Sequence, residues 1–135
     1  VLSARYKTLK TTGNLNNQFG LPQMLLQLED DIEAAIFEMG MSGFGEIEEL
    51  VLPTQPDIGV ITNIGVSHLE HLGSRENILK AKMEIAKGLK DGSPLILCGD
   101  NDLLSTVREP RLNVVFYGVK NPDCSVRAIN IVTSE

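Results

Sequence analysis

Short apolar runs alternate with stretches of helical period along this chain. Tyr6 to Lys10 reads as a strand. Leu21 to Leu28 reads as a helix, with Pro22 suited to a first turn that has no N–H to lose. Ala34 to Met39 is an apolar run that ends in a glycine-rich loop, and Gly45 to Leu52 has helical spacing that Pro53 is expected to stop. Ile58 to Thr62 is a second buried run. Ser74 to Leu89 is the longest helical stretch, with Ser74 as its N-cap and Gly88 near its end. Pro94 to Cys98, Leu112 to Tyr117 and Ser125 to Ile131 read as further strands, with a short helix at Asn101 to Val107. Apolar strands alternating with helices predict an α/β fold, a doubly wound and mostly parallel sheet. The last strands follow one another without a helix, which predicts an antiparallel edge near the C-terminus.

Composition narrows the class. The chain has 135 residues, 42 % of them hydrophobic and 22 % charged, enough for one ordinary core. Twelve Lys and Arg against eighteen Asp and Glu leave a net charge of −6. That balance argues against nucleic acid or an anionic membrane as partner, but not against a local anion site. No apolar run approaches the roughly 20 residues of a membrane span. Cys98 and Cys124 show neither a C-x-x-C nor a zinc spacing, and a reducing, cytoplasmic setting fits them. The chain opens at Val1, and Val1 to Arg5 read as the end of a helix, so a piece of a longer protein is expected.

In a parallel α/β sheet, ligands gather beyond the carboxyl ends of the strands. Three polar or glycine-rich loops follow strands: Thr11 to Gly20, Glu38 to Glu46, and Asn63 to Ser74. Glu38 ends an apolar run and is either a hard ligand for Mg²⁺ or a cap for its own loop. Gly43 and Gly45 begin a dinucleotide fingerprint, but Glu48 stands where its third glycine belongs. His68 and His71 are three residues apart, whereas a helical metal pair favours four. Asn14, Asn16 and Asn17 supply amides that suit a phosphate, sugar or peptide, or else build a turn. Asp100 is another strand-end acid, either a helix cap or a hold on a nucleotide hydroxyl. No serine or cysteine has a nucleophile setting.

Lys82 is the most informative residue. On a helical wheel of about 100° per residue, Ile78, Ala81, Ile85 and Leu89 form the buried stripe. Lys82 falls about 40° from Ile78, inside that stripe. Lys80, Glu84, Lys87 and Lys90 form the solvated side. A lysine in the stripe either snorkels to water or has a lowered pKa. A neutral amine reacts with CO₂ to give a carbamate, a metal-binding anion.

Four segments then carry a resemblance in the right order. They are Lys10-Thr-Thr-Gly-Asn-Leu-Asn-Asn-Gln-Phe-Gly-Leu-Pro22, Glu38-Met-Gly-Met-Ser-Gly-Phe-Gly-Glu-Ile47, Thr62-Asn-Ile-Gly-Val-Ser-His-Leu-Glu-His-Leu-Gly-Ser74 and Lys80-Ala-Lys-Met-Glu-Ile85. Together they resemble the central, P-loop NTPase-like domain of the Mur ligases over nearly the whole chain, to about Ile131-Val-Thr-Ser134. The first two favour the branch that joins D-Ala-D-Ala to UDP-N-acetylmuramoyl-tripeptide. The resemblance implies ATP as co-substrate, two Mg²⁺ ions, an acyl phosphate on the peptide carboxylate, and attack by an amine. It implies Glu38 on the first Mg²⁺, and His68 with carbamylated Lys82 on the second. It puts Asn17 where nucleotide and peptide meet, and Asn14 and Asn16 near the muramoyl substrate. It also implies a cytoplasmic monomer in bacterial wall synthesis, with no nucleic acid or membrane partner.

The chain departs from the family in lacking G-x-x-x-x-G-K-[ST], and Cys98 stands where the family has Asn. The expectation is therefore a partial central domain over residues 1–135, without its phosphate loop, UDP-substrate domain and C-terminal domain, and inactive alone. A related amino-acid ligase, a folylpolyglutamate synthase and a non-catalytic nucleotide-binding module are the alternatives.

Overall fold

The computed structural model describes residues 1–132. The end of the Ile131-Val-Thr-Ser stretch lies outside them. Among the described residues six strands and four α-helices follow in order: β1 (Thr8–Lys10), α1 (Gly20–Leu25), β2 (Ala34–Ile36), α2 (Glu46–Thr54), β3 (Gly59–Ile61), α3 (Leu69–Leu72), α4 (Arg75–Met83), β4 (Pro94–Cys98), β5 (Asn113–Gly118) and β6 (Val126–Arg127). The fold is mixed α/β with parallel pairing throughout the described residues.

The strands form two ladders rather than one sheet. β1 pairs with β2, and β3-β4-β5-β6 form the second, larger ladder. Between β2 and β3 lies a groove of about 560 Å³, lined by Ile36, Phe37, Val60, Ile61 and Ile85. The facing edges of β2 and β3 carry no ladder partner among the described residues.

β4 shows why the larger sheet holds. Leu95 and Leu97 point to one face and are fully buried, while Ile96 and Cys98 are half-buried on the other. That period of two puts successive side chains on opposite faces, and the backbone of β4 pairs with β3 on one edge and β5 on the other. The core under it includes Ile61, Ile64, Ile78, Ala81 and Leu104. Truncating Leu97 to Ala there costs about 2–5 kcal/mol.

The predicted antiparallel edge is wrong: β6 runs parallel to β5. Only Tyr117 and Gly118 are paired, with Val126 and Arg127, so the chain needs to back up by a couple of residues, not the length of a strand. The Asp100 carboxylate accepts the N–H groups of Val119, Lys120 and Asn121 and curls the loop. Cys124 then fills the space against Gly99 and Gly118.

Pro53 does not stop α2, which continues to Thr54. The proline sits in the last turn, where few helical bonds remain to be lost. Thr54 Oγ1 donates to the Leu50 carbonyl at 2.7 Å, and Gln55 N–H donates to that of Val51 at 2.9 Å before the chain leaves at a φ of 43°. The long helix also differs from expectation. Ser74 does cap it, its Oγ accepting from Asn77 N–H at 3.2 Å. It is α-helical only to Met83, and a 3-10 turn follows from Glu84 to Gly88. Val51 of α2 lies directly against Gly88, where a Cβ would meet it at 2.4 Å. Glu84 is not an idle member of a solvated face. Its carboxylate accepts from Gly45 N–H at 2.8 Å and Glu48 N–H at 3.3 Å, capping a helix whose own N-cap, Gly45, has no side chain.

Candidate functional site

The loops after β1, β2 and β3 meet at the carboxyl ends of those strands, as a parallel arrangement requires. They enclose a cavity of about 350 Å³ whose wall includes Asn16, Glu38, Ser67, His68, Ile78 and Lys82. Each of the three loops read from the sequence contributes to it.

Glu38 stands two residues beyond β2. Its N–H donates to Thr11 Oγ1 at 2.9 Å, and its Oε1 accepts from Asn16 Nδ2 at 3.0 Å. The side chain is exposed to the cavity, with acceptor capacity to spare. His68 lies across the cavity, in the left-handed region at φ 65°. Few residues other than glycine adopt that backbone, and His is among the more tolerant. The turn it makes lets its carbonyl accept from His71 and Leu72 as α3 begins. This short helix had no counterpart among the elements read from the sequence. His71 is exposed beside Glu70, 3.6 Å away, and does not line the cavity.

Lys82 leaves α4 half-buried. Its Nζ donates to the Asn63 carbonyl at 2.9 Å. Loss of hydration lowers its pKa from the usual lysine value. The side chain is half-buried along its length and ends at the cavity wall, where desolvation lowers the amine's pKa.

The three asparagines divide. Asn16 lines the cavity. Asn17 faces its own chain, its Oδ1 accepting from Phe19 N–H at 3.1 Å and Gly20 N–H at 2.9 Å at the start of α1. Asn14 is exposed and is not part of the cavity wall. Asp100 is the cap of the β5–β6 loop, and its backbone donors hold its carboxyl below the usual range.

Sequence reasoning missed the residues that hold the third loop. Arg75 donates to the Ile64 carbonyl at 2.9 Å and grips Asp102 with both guanidinium nitrogens at 2.8 and 2.6 Å. Asn101 donates to Asn63 Oδ1 at 2.9 Å and to the Ile64 carbonyl at 3.2 Å. One signal was available: a cation at the first position of a helix opposes the helix dipole and needs an acceptor elsewhere.

Among the described residues no three His, Cys, Asp or Glu side chains gather as a metal cluster. The donor set suits Mg²⁺ nonetheless, because that ion keeps its waters and takes one or two carboxylates alongside phosphates. No helix of the described residues is long and apolar enough to cross a membrane.

Comparison with known proteins supplies the family. The Mur ligase middle domain model matches residues 1–135. The UDP-N-acetylmuramoyl-tripeptide–D-alanyl-D-alanine ligase of Bacillus subtilis is 51 % identical over 121 residues, which are 90 % of this chain and 26 % of that protein. The enzyme of the same name from Escherichia coli is 39 % identical over 102 residues, 76 % of this chain and 23 % of that one. A crystal structure of MurF from Acinetobacter baumannii superposes with a TM-score of 0.87 at 33 % identity, covering 97 % of this chain and 29 % of the other. MurF ligase from Thermotoga maritima in complex with ADP gives a TM-score of 0.79 at 33 % identity, covering 89 % and 28 %. The chain thus spans about a quarter of the length of the curated relatives it matches. Three strand-end loops around one cavity, and a family match over every residue, lead to one conclusion: this chain belongs to the Mur ligase family, as a middle domain.

Proposed function

We propose that the chain is part of the catalytic middle domain of an ATP-dependent ligase that joins D-Ala-D-Ala to UDP-N-acetylmuramoyl-tripeptide. ATP phosphorylates the tripeptide carboxylate, and the amine of D-Ala-D-Ala displaces phosphate to form the amide. The observation that carries this reading is the convergence of Glu38, His68 and a partly desolvated Lys82 on one cavity. The names of relatives up to 51 % identical, and the ADP held by the Thermotoga protein, support the substrates.

Two Mg²⁺ ions bound here would supply fixed positive charge to offset the charge that develops on a transferring phosphoryl group. Glu38 would hold the first. His68, presented by its left-handed turn, would hold the second together with Lys82. Lys82 can do so only as an anion. Its neutral amine bonds to the carbon of CO₂ and loses one N–H proton to solvent, which yields a carbamate. The lowered pKa favours the neutral form that reacts. Asn16 lines the same cavity; Asn17 would lie where nucleotide and peptide meet and Asn14 near the muramoyl substrate, both outside the cavity wall. The enzyme acts as a cytoplasmic monomer.

The same reading assigns residues 1–135 to part of the middle domain, with the phosphate loop, the UDP-substrate domain and the C-terminal domain supplied by other parts of the protein. The apolar groove between the two ladders supports it, since two open strand edges there can receive a further strand.

The test uses the intact ligase. Phosphate release should require ATP, Mg²⁺, UDP-N-acetylmuramoyl-tripeptide and D-Ala-D-Ala together. Lys82→Ala should abolish it, and short carboxylic acids should restore part of it. Full turnover by Lys82→Ala removes the carbamate from the reading. Release that ignores D-Ala-D-Ala removes the substrate.

A further inference from the structure

The geometry points to Asn16 as a positioning residue for Glu38, held in place by Gly40. Three observations meet at this point. Asn16 Nδ2 donates to Glu38 Oε1 at 3.0 Å. The Asn16 carbonyl accepts from Gly40 N–H at 2.8 Å, which ties the loop after β1 to the loop after β2. A Cβ on Gly40 would stand 3.0 Å from Asn16 Nδ2 and 3.2 Å from its Cγ, so the amide occupies the space that a side chain at Gly40 would need.

The backbone on the near side of Glu38 is fixed as well, because its N–H donates to Thr11 Oγ1 at 2.9 Å. With the main chain tied on both sides, what remains free is rotation of the glutamate side chain. The Asn16 amide removes that freedom. It is a neutral donor, so it orients the carboxylate without cancelling its charge. It occupies one acceptor site of Oε1, and no hydrogen bond from the described residues claims Oε2, which stays open to a cation. A basic residue in the same place would orient Glu38 and compete with the ion. Ligating carboxylates are held in this way by neighbours just outside the metal, and loss of such a neighbour weakens metal binding.

This inference rests on Glu38 as a Mg²⁺ ligand, and it gives Asn16 a role other than contact with the muramoyl substrate. It is tested in the intact ligase with Asn16→Ala, Gly40→Ala and Glu38→Ala. Gly40→Ala leaves the amide chemically intact but displaces it. The first readout needs no turnover: Mn²⁺ bound with ADP is titrated by electron paramagnetic resonance in the absence of both other substrates. Asn16→Ala and Gly40→Ala should each weaken Mn²⁺ binding about 10-fold, and Glu38→Ala more. The second readout is kinetic. The Mg²⁺ concentration for half-maximal phosphate release should rise about 10-fold in both positioning variants. Saturating Mg²⁺ should recover most of kcat, and KM for the UDP-linked tripeptide should stay within about twofold. A raised KM with unchanged metal binding makes Asn16 a substrate contact and overturns the proposal. Weakened metal binding in Glu38→Ala alone also overturns it, while sparing the metal reading of Glu38. Unchanged metal binding in Glu38→Ala sinks both.

Discussion

Glu38 and Asp100 occupy equivalent places in the two ladders, each two residues past the end of a parallel strand. Their surroundings are opposite. Asp100 accepts from three consecutive backbone N–H groups at 2.7 to 3.2 Å, and those donors hold its carboxyl below the usual range. Glu38 accepts from one side-chain amide and otherwise opens to a cavity. One acid is closed on its own chain, and the other keeps acceptor capacity for something outside it. The difference teaches that a strand-end carboxylate is read by what already fills its lone pairs, not by where it stands.

The largest expected effect separates the two acids by activity. In the intact ligase, Glu38→Gln should lower kcat/KM more than about 100-fold if, as proposed, Glu38 is a metal ligand rather than a neighbour of one. Its effect on stability, followed by urea denaturation, should stay within about 0.5 kcal/mol, as for an exposed side chain. Asp100→Asn should do the reverse. It leaves backbone donors facing an amide, so the thermal midpoint should fall while the Mg²⁺ requirement is unchanged. A Mg²⁺ requirement raised by Asp100→Asn would break the comparison.

The pH dependence of Asp100 sharpens it. A carboxyl whose folded pKa is lowered adds stability above its unfolded pKa and loses it as pH falls through the folded value. Thermal midpoints of the wild type should therefore drop below about pH 4. Asp100→Asn should flatten part of that drop.

A smaller effect concerns Glu84, a third acid and a closed one. Glu84→Ala should cost about 1 kcal/mol in urea denaturation, because α2 loses a side-chain cap that its own glycine N-cap cannot supply. The smallest effect on stability belongs to Lys82. Its folded pKa is lowered, so the unfolded chain binds the extra proton and stability rises with pH between the folded value and about 10.4. Lys82→Met should remove that slope, seen in thermal midpoints as pH approaches about 10. An unchanged slope would mean that Lys82 is as well hydrated as its exposed neighbours.

Much of this was legible in the chain itself. Alternating apolar runs located each strand of the described residues, and Ser74 announced the start of α4. The wheel picked out Lys82 because a charge on a buried stripe is a local contradiction that no surface pattern produces. The four family segments named the fold class and the residues worth placing. The misreadings share a cause. Pro53 and the β5–β6 turn were judged by local rules, and both were decided by bonds to residues distant in sequence or already near a helix end.

The sequence by itself determined the strands, the helices and the chemistry available at their ends, because periodicity and propensity act over a few neighbouring residues. Tertiary structure decided how that chemistry is used. It parted Asn16 from Asn17 and His68 from His71, closed Asp100 and left Glu38 open, and turned Glu84 from a surface acid into a helix cap. Asn16, Asp100 and Glu84 each take a partner from another loop or element, and that distance in the chain leaves no trace in local spacing.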